Sequence, residues 1–106
     1  MLQFGIDLGG TKTEIIVLDA EGNTLLRERS PTPSHSYTDI VHNITRMVKA
    51  AHSATGNRDF TLGIGIPGAM SPATGLVKNA NTTCLIGQDL QGDLQRAIGC
   101  PVTIAN

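Results

Sequence analysis

Short runs of apolar residues, separated by turn-forming residues, predict five strands along this chain. The runs are rich in β-branched residues, as is typical of strands that pack on one or both faces. The first three follow one another through short turns and therefore predict an antiparallel meander. The predicted strands cover residues 2–6, 14–19, 24–29, 60–66 and 101–105.

Two helices are predicted from apolar residues at helical spacing. The first is expected to begin after Ser36, a favourable N-cap, and to end near Gly56. The second is expected to begin after Asp89 and to end at Gly99. Their packed sides should carry Ile40, Ile44, Met47, Val48 and Ala51 in the first helix, and Leu90, Leu94, Ala97 and Ile98 in the second.

The order of these elements predicts an α/β fold of the ribonuclease-H-like type. A strand, a helix and a further strand in one sheet imply a parallel, right-handed crossover. The fold is therefore expected to be a five-stranded mixed sheet with helices on its faces. Ligands of open α/β sheets bind at the carboxyl ends of the strands, so the functional residues should gather at that edge.

Composition and charge narrow the class of protein. The chain has 106 residues, of which 40% are hydrophobic and 16% charged, so one globular domain is expected. The formal net charge is −1 and no cluster of Lys or Arg occurs, which argues against nucleic acid or a membrane surface as a partner. No transmembrane run or signal peptide is recognised, and Cys84 and Cys100 lack metal-site spacing. A cytoplasmic protein with reduced cysteines is expected.

The stretch from Asp7 to Thr13 predicts a phosphate site in a turn between two strands. Its spacing fits neither a Walker A loop nor a dinucleotide fingerprint. Glycines let backbone N–H groups approach an anion, while hydroxyl groups and a lysine add further donors. Asp7 is suited to hold Mg²⁺ through water. The candidate phosphate-binding residues are Asp7, Gly9, Gly10, Thr11, Lys12 and Thr13.

Residues 5–12, with the sequence GIDLGGTK, resemble the first phosphate motif of the ROK family of bacterial sugar kinases. That family belongs to the superfamily of sugar kinases, heat-shock-70 proteins and actin-like ATPases. The resemblance implies ATP and Mg²⁺ as cofactors, and a hexose as substrate. It leaves the oligomeric state open, with a homo-oligomer as one option.

The same resemblance implies which residues line a sugar site. The segment 65–68, Gly-Ile-Pro-Gly, is similar to the family motif that closes the fourth strand beside the sugar, which points to Gly68 and Ala69. A polar segment follows in which Asn81 is the first choice for sugar binding and Asn79 the second. Asn106 is similar to the Asn that binds sugar at the end of the fifth strand.

The resemblance further implies that residues 1–106 are the N-terminal lobe of a kinase, ending before its catalytic Asp and its C-terminal lobe. In the family, the Asp that follows the sugar-binding Asn is the general base, and here Asn106 is the last residue. No catalytic residue is therefore predicted within the chain, and the isolated chain is expected to be nearly inactive. A structural zinc is implied for the family, with ligands outside this chain.

Several functions remain open at this stage. The motifs resemble bacterial fructokinases most, which implies phosphorylation of fructose to fructose 6-phosphate, with a kinase for N-acetylglucosamine or glucose as the alternative. A sugar-sensing ROK transcriptional repressor is a further alternative, although the chain shows no basic recognition helix. A binding domain without catalysis is the third.

Overall fold

The structure is a computed structural model that describes residues 1–66, 68–78 and 82–105, without the side chains of residues 69, 70 and 78. It contains two α-helices, one 3₁₀ turn and seven strands among those residues. The strands are β1 (Leu2–Leu8), β2 (Lys12–Leu18), β3 (Thr24–Pro31), β4 (Phe60–Gly65), β5 (Ala69–Met70), β6 (Val77–Lys78) and β7 (Val102–Ala105). The helices are α1 (Tyr37–Ala54) and α2 (Leu90–Ile98), and the 3₁₀ turn is Thr83–Leu85.

Five strands form one mixed sheet in the order β3-β2-β1-β4-β7. Strands β1, β2 and β3 are antiparallel neighbours, so the predicted meander is confirmed. Strand β4 runs parallel to β1, and β7 runs parallel to β4, so the predicted crossover through a helix is also confirmed. A separate pair of two-residue strands, β5 and β6, was not predicted as a hairpin.

The sheet has one buried face and one open face. In β1, Phe4 and Ile6 are 3% exposed, whereas Gln3 and Asp7, which point the other way, are exposed. The two described helices contact each other and share one core with the buried face. The expected helices therefore cover one face of the sheet, and no described helix lies on the other.

Helix α1 is set by the residues that the sequence indicated. The Ser36 side chain accepts a hydrogen bond from the Asp39 N–H at 3.2 Å, and Gly56 beyond the C-terminus has φ +88°. The apolar stripe faces the core as predicted. Its buried residues are Ile40, Val41, Ile44, Met47, Val48 and Ala51.

Helix α2 is capped as predicted but turned differently against the sheet. Leu90 and Leu94 are buried, whereas Ala97 is exposed, so its predicted place on the packed side is wrong. Gln91 donates to the Val102 carbonyl at 2.7 Å, and the Gln95 side chain accepts from the Val102 N–H at 3.1 Å. These bonds turn the glutamine side of the helix towards β7 and leave Ala97 at the rim.

Candidate functional site

The carboxyl ends of three parallel strands meet at one edge of the sheet, where Asp7 and the turn after it lie. Asp7 of β1 is in register with Gly65 of β4, and Gly65 is in register with Ala105 of β7. On the other side Asp7 is in register with Glu14 of β2. Since β1, β4 and β7 are parallel, the segments that follow each of them leave the sheet at the same edge.

The turn between β1 and β2 is tighter than the sequence predicted. Only Gly9, Gly10 and Thr11 lie outside the two strands, and the Gly9 N–H donates to the Lys12 carbonyl at 3.0 Å. The Gly9 amide therefore closes the turn instead of facing an anion. The N–H groups of Gly10 and Thr11 have no acceptor among the described residues. Two adjacent backbone donors are thus available for an anionic ligand.

Position 9 requires glycine because a side chain there would clash with the turn, whereas position 10 has room for a side chain. A Cβ on Gly9 would lie 2.7 Å from the Lys12 carbonyl oxygen, which is too close for the turn to keep its shape. A Cβ on Gly10 would lie 3.8 Å from the Thr82 hydroxyl oxygen, an ordinary contact distance. The backbone of Gly10 is exposed and carries no side chain that would keep a ligand away.

Asp7 projects from the open face beside the turn. Its carboxylate is exposed, and its neighbour Gly65 has no side chain to cover it. An open depression of about 280 Å³ borders it, lined by Gly5, Ile6, Asp7, Glu14, Ile16 and Arg27. An exposed carboxylate next to backbone N–H groups that could bind an anion suits a hydrated Mg²⁺. The Asp7 carboxylate therefore fits the metal that the sequence suggested.

A second carboxylate beside Asp7 is balanced by arginines. Arg27 and Arg29 each place their Nε 3.1 Å from one of the two carboxylate oxygens of Glu14. Like charges opposite each other on neighbouring strands are destabilising, so this pairing lets Asp7 and Glu14 sit side by side. Lys12 is exposed and, by strand alternation, lies on the same face as Glu14.

The structure changes the part assigned to Thr13. Its side chain is 0% exposed and lies on the helix-facing side of β2, so it cannot contact a ligand on the open face. Its hydroxyl is 2.8 Å from the Thr32 hydroxyl, inside the protein. The predicted phosphate binding by Thr13 would require this side chain to leave its packing between β2 and the segment after β3.

The predicted sugar-binding residues are described only in part. Gly68 is half-buried and follows β4, and the backbone of Ala69 pairs with that of Lys78 in the short β5–β6 hairpin. Asn79, Asn81 and Asn106 lie outside the described residues. Their part in a sugar site stays a prediction.

A cavity larger than the depression beside Asp7 lies away from this edge. A cavity of about 460 Å³ lies between β3 and α1, where the short side chains of Ala50 and Ala54 leave space beside Arg46. It carries none of the residues singled out for phosphate or sugar.

The described part of the chain contains neither a candidate metal-binding cluster nor a candidate membrane-spanning helix. Over residues 1–66, 68–78 and 82–105, no group of three or more His, Cys, Asp or Glu side chains is arranged to hold a metal ion. The helices found within those ranges are too short or too polar to cross a bilayer.

Comparison with known proteins shows that the chain belongs to the ROK family. A family model described as ROK family matches residues 3–106. An N-acetyl-D-glucosamine kinase of Yersinia enterocolitica is 37% identical over 105 residues, which make up 99% of this chain and 34% of that relative. The corresponding kinase of Pasteurella multocida is 32% identical over the same length. The chain thus spans about a third of the length of the curated relatives it matches.

A solved structure supports the fold. The ROK family glucokinase of Streptomyces griseus, solved with glucose and AMPPNP, superposes with a TM-score of 0.86 and 29% identity. The match covers 100% of this chain and 33% of the glucokinase. The predicted fold class, the sheet of the actin-like ATPases, is confirmed. The two relatives named above are described as N-acetyl-D-glucosamine kinases, and the specific resemblance to fructokinases finds no support in them.

Proposed function

Because the chain belongs to the ROK family, we propose that it forms the nucleotide-phosphate side of an ATP-dependent sugar kinase. The observation that carries this is the convergence of the Gly9–Thr11 turn and the exposed Asp7 with the ends of β4 and β7 at one sheet edge. A site at this edge agrees with where open α/β sheets bind ligands.

We propose N-acetylglucosamine as the sugar, with glucose as the alternative. The support is the identity of 37% and 32% to kinases described as acting on N-acetyl-D-glucosamine. The Streptomyces griseus glucokinase, at 29% identity, supports glucose less strongly. Fructose, the first expectation from the motifs, is tested only as a comparison substrate.

Each group in the turn has a separate task in this proposal. The N–H groups of Gly10 and Thr11 donate to phosphate oxygens, and the Lys12 ammonium adds a positive charge on the same side. Asp7 holds Mg²⁺ through bound water, and the metal, when bound, offsets the negative charge of the phosphates. Gly9 shapes the turn. Phosphoryl transfer depends mainly on positioning and charge stabilisation, which is what these groups offer.

The sugar side of the proposal rests on the segments that follow β4 and β7. Gly68 and Ala69 would border the sugar through backbone atoms. The amides of Asn79, Asn81 and Asn106 would exchange hydrogen bonds with its hydroxyls, since an amide both donates and accepts. None of the 106 residues is proposed as the base that takes the proton from the sugar hydroxyl.

The test is a kinetic comparison made in the full-length protein that carries this chain. ADP formation is measured with ATP and Mg²⁺ in the presence of N-acetylglucosamine, glucose or fructose. We expect the highest kcat/KM for N-acetylglucosamine. Absence of sugar-dependent ADP formation with all three would overturn the proposed function, and a preference for fructose would overturn the proposed sugar.

A pair of matched variants tests the role of Asp7. Asp7→Asn is expected to lower kcat by at least about 100-fold, because it removes the charge that would hold the hydrated metal. Asp59→Asn makes the same change at an exposed position just before β4, at the opposite end of the sheet, and should leave kcat unchanged. Equal activity of both variants would remove Asp7 from the proposal.

A further inference from the structure

A chain of buried hydroxyl groups lies directly behind the phosphate turn. The Thr32 hydroxyl donates to the Gly9 carbonyl oxygen at 2.8 Å. It lies 2.8 Å from the Thr13 hydroxyl, and the two side chains are 9% and 0% exposed. A hydroxyl has one proton, so if Thr32 gives its proton to Gly9, Thr13 must be the donor to Thr32. The bonds therefore run from Thr13 to Thr32 to Gly9.

Thr32 also holds the turn through its backbone. Its N–H donates to the Thr11 carbonyl at 2.9 Å. One residue thus binds two carbonyl groups of the same short turn, at Gly9 and at Thr11. Both carbonyls are drawn towards the segment that joins β3 to α1.

The consequence for ligand binding follows from the planar peptide bond. The Gly9 carbonyl and the Gly10 N–H belong to one peptide unit, and in a trans peptide they point in opposite directions. All peptide bonds of the described residues are trans. When Thr32 holds the Gly9 carbonyl inward, the Gly10 N–H is turned to the outer side of the turn, where it meets no acceptor among the described residues.

We propose that Thr32, oriented by Thr13, is a positioning residue for nucleotide-phosphate binding. It acts by fixing the Gly9–Gly10 peptide so that the Gly10 N–H faces the ligand. This inference rests on the proposed function. It explains why a threonine lies buried 23 residues after Gly9 with its hydroxyl on a turn carbonyl.

The test compares three threonine variants in the full-length protein. Thr32→Val keeps the shape but loses the hydroxyl, and Thr32→Ser keeps the hydroxyl. The control is Thr45→Val on α1, where the Thr45 hydroxyl likewise donates to a backbone carbonyl, that of Val41 at 2.8 Å, away from the turn. KM for ATP, KM for the sugar, kcat and melting temperature are measured for each.

We expect Thr32→Val to raise KM for ATP about tenfold, which corresponds to the loss of the hydrogen bond from the Gly10 N–H to a phosphate oxygen. KM for the sugar should stay unchanged. Thr32→Ser should restore KM for ATP to within about twofold, and Thr45→Val should leave it unchanged. A Thr32→Val protein that melts lower, yet binds ATP with the unmodified KM, would overturn the proposal, because the hydroxyl would then be structural only.

A second variant keeps the test decisive if Thr32→Val does not fold. Thr13→Val removes the hydroxyl that donates to Thr32 but leaves the bond from Thr32 to Gly9. Because a hydrogen bond is stronger when its donor also accepts one, the bond to Gly9 should weaken and KM for ATP should rise about twofold. An unchanged KM for ATP in this variant would overturn the role of the hydroxyl chain. Absence of activity in the unmodified protein is a separate outcome, since it would refute the proposed function and not the geometry.

Discussion

The clearest prediction concerns two adjacent glycines that should respond differently to the same change. Gly9→Ala adds a methyl group that would lie 2.7 Å from the Lys12 carbonyl oxygen, against 3.4 Å where ordinary contact begins. Gly10→Ala adds a methyl group 3.8 Å from the nearest atom, the Thr82 hydroxyl oxygen. Neither glycine has a positive φ, so contact alone decides the outcome.

The contact at Gly9 cannot be relieved cheaply. The carbonyl that the methyl group would strike is backbone, and it also accepts the Gly9 N–H that closes the turn. Forcing extra atoms into a packed site costs about 1–3 kcal/mol, and loss of the hydrogen bond adds about 1 kcal/mol. We therefore expect Gly9→Ala to lower the free energy of unfolding by about 2 kcal/mol or more. Gly10→Ala, at an exposed position, should change it by less than about 0.5 kcal/mol.

The two variants should also differ in which property they lose. In the full-length protein, Gly9→Ala is expected to lower the melting temperature by about 4 °C and to raise KM for ATP about tenfold. Gly10→Ala should leave the melting temperature unchanged and still raise KM for ATP about fivefold, because its methyl group occupies the closest approach to the phosphates. Thermal melts and ATP titrations of both proteins decide it. Normal ATP kinetics in Gly10→Ala would refute a phosphate at this turn.

Three further predictions concern the caps and contacts of α2. The Tyr37 hydroxyl donates to Asp93 at 2.5 Å, and burial, followed by this bond, raises the pKa of Tyr37 above its usual value. Folding therefore stabilises the neutral phenol, and the stability that this gives below about pH 10 should be lost as the pH rises further. In thermal melts from pH 8 to 11, Tyr37→Phe should lose less stability with rising pH than the unmodified protein. The pKa of Asp93 is lowered mainly by the same bond, then by Arg96, so its contribution should be lost as the pH falls below about 3.9, with a weaker loss in Tyr37→Phe. Gly92→Ala should change the free energy of unfolding by less than about 0.5 kcal/mol, because two effects cancel. Alanine favours the helix by about 1 kcal/mol over glycine, but its methyl group would displace the Asp89 side chain that caps the helix through the Gly92 N–H. In an Asp89→Ala background, where no cap remains to lose, the same change should stabilise by about 1 kcal/mol, and equal effects in both backgrounds would contradict the explanation.

The sequence was informative where local pattern and tertiary structure agree. The ends of α1 could be predicted because Ser36 and Gly56 carry their own capping chemistry, which does not depend on distant residues. The parallel arrangement of β1 and β4 followed from the helix between them. Polar chemistry could be assigned to the turn after β1 because glycines and hydroxyls were clustered there.

The predictions that differed from the structure depend on contacts between distant residues. Strand β2 begins at Lys12, two residues earlier than predicted, because Thr13 is buried against Thr32, 19 residues away. Strand β3 continues to Pro31, two residues beyond the predicted end at residue 29. Strand β3 is an edge strand, where a residue without an N–H is tolerated. No local pattern shows either effect.

The contact of Thr32 with the turn between β1 and β2 also separates the carbonyl groups of this turn from its amide groups. A backbone turn presents both carbonyl and amide groups, and only the amides attract an anion. If the carbonyls of Gly9 and Thr11 were left exposed, their negative ends would repel an anion that approaches the amides. Both instead accept hydrogen bonds from Thr32, inside the protein. The segment after β3 thus binds the Gly9 and Thr11 carbonyls, whereas the Gly10 and Thr11 N–H groups meet no acceptor among the described residues.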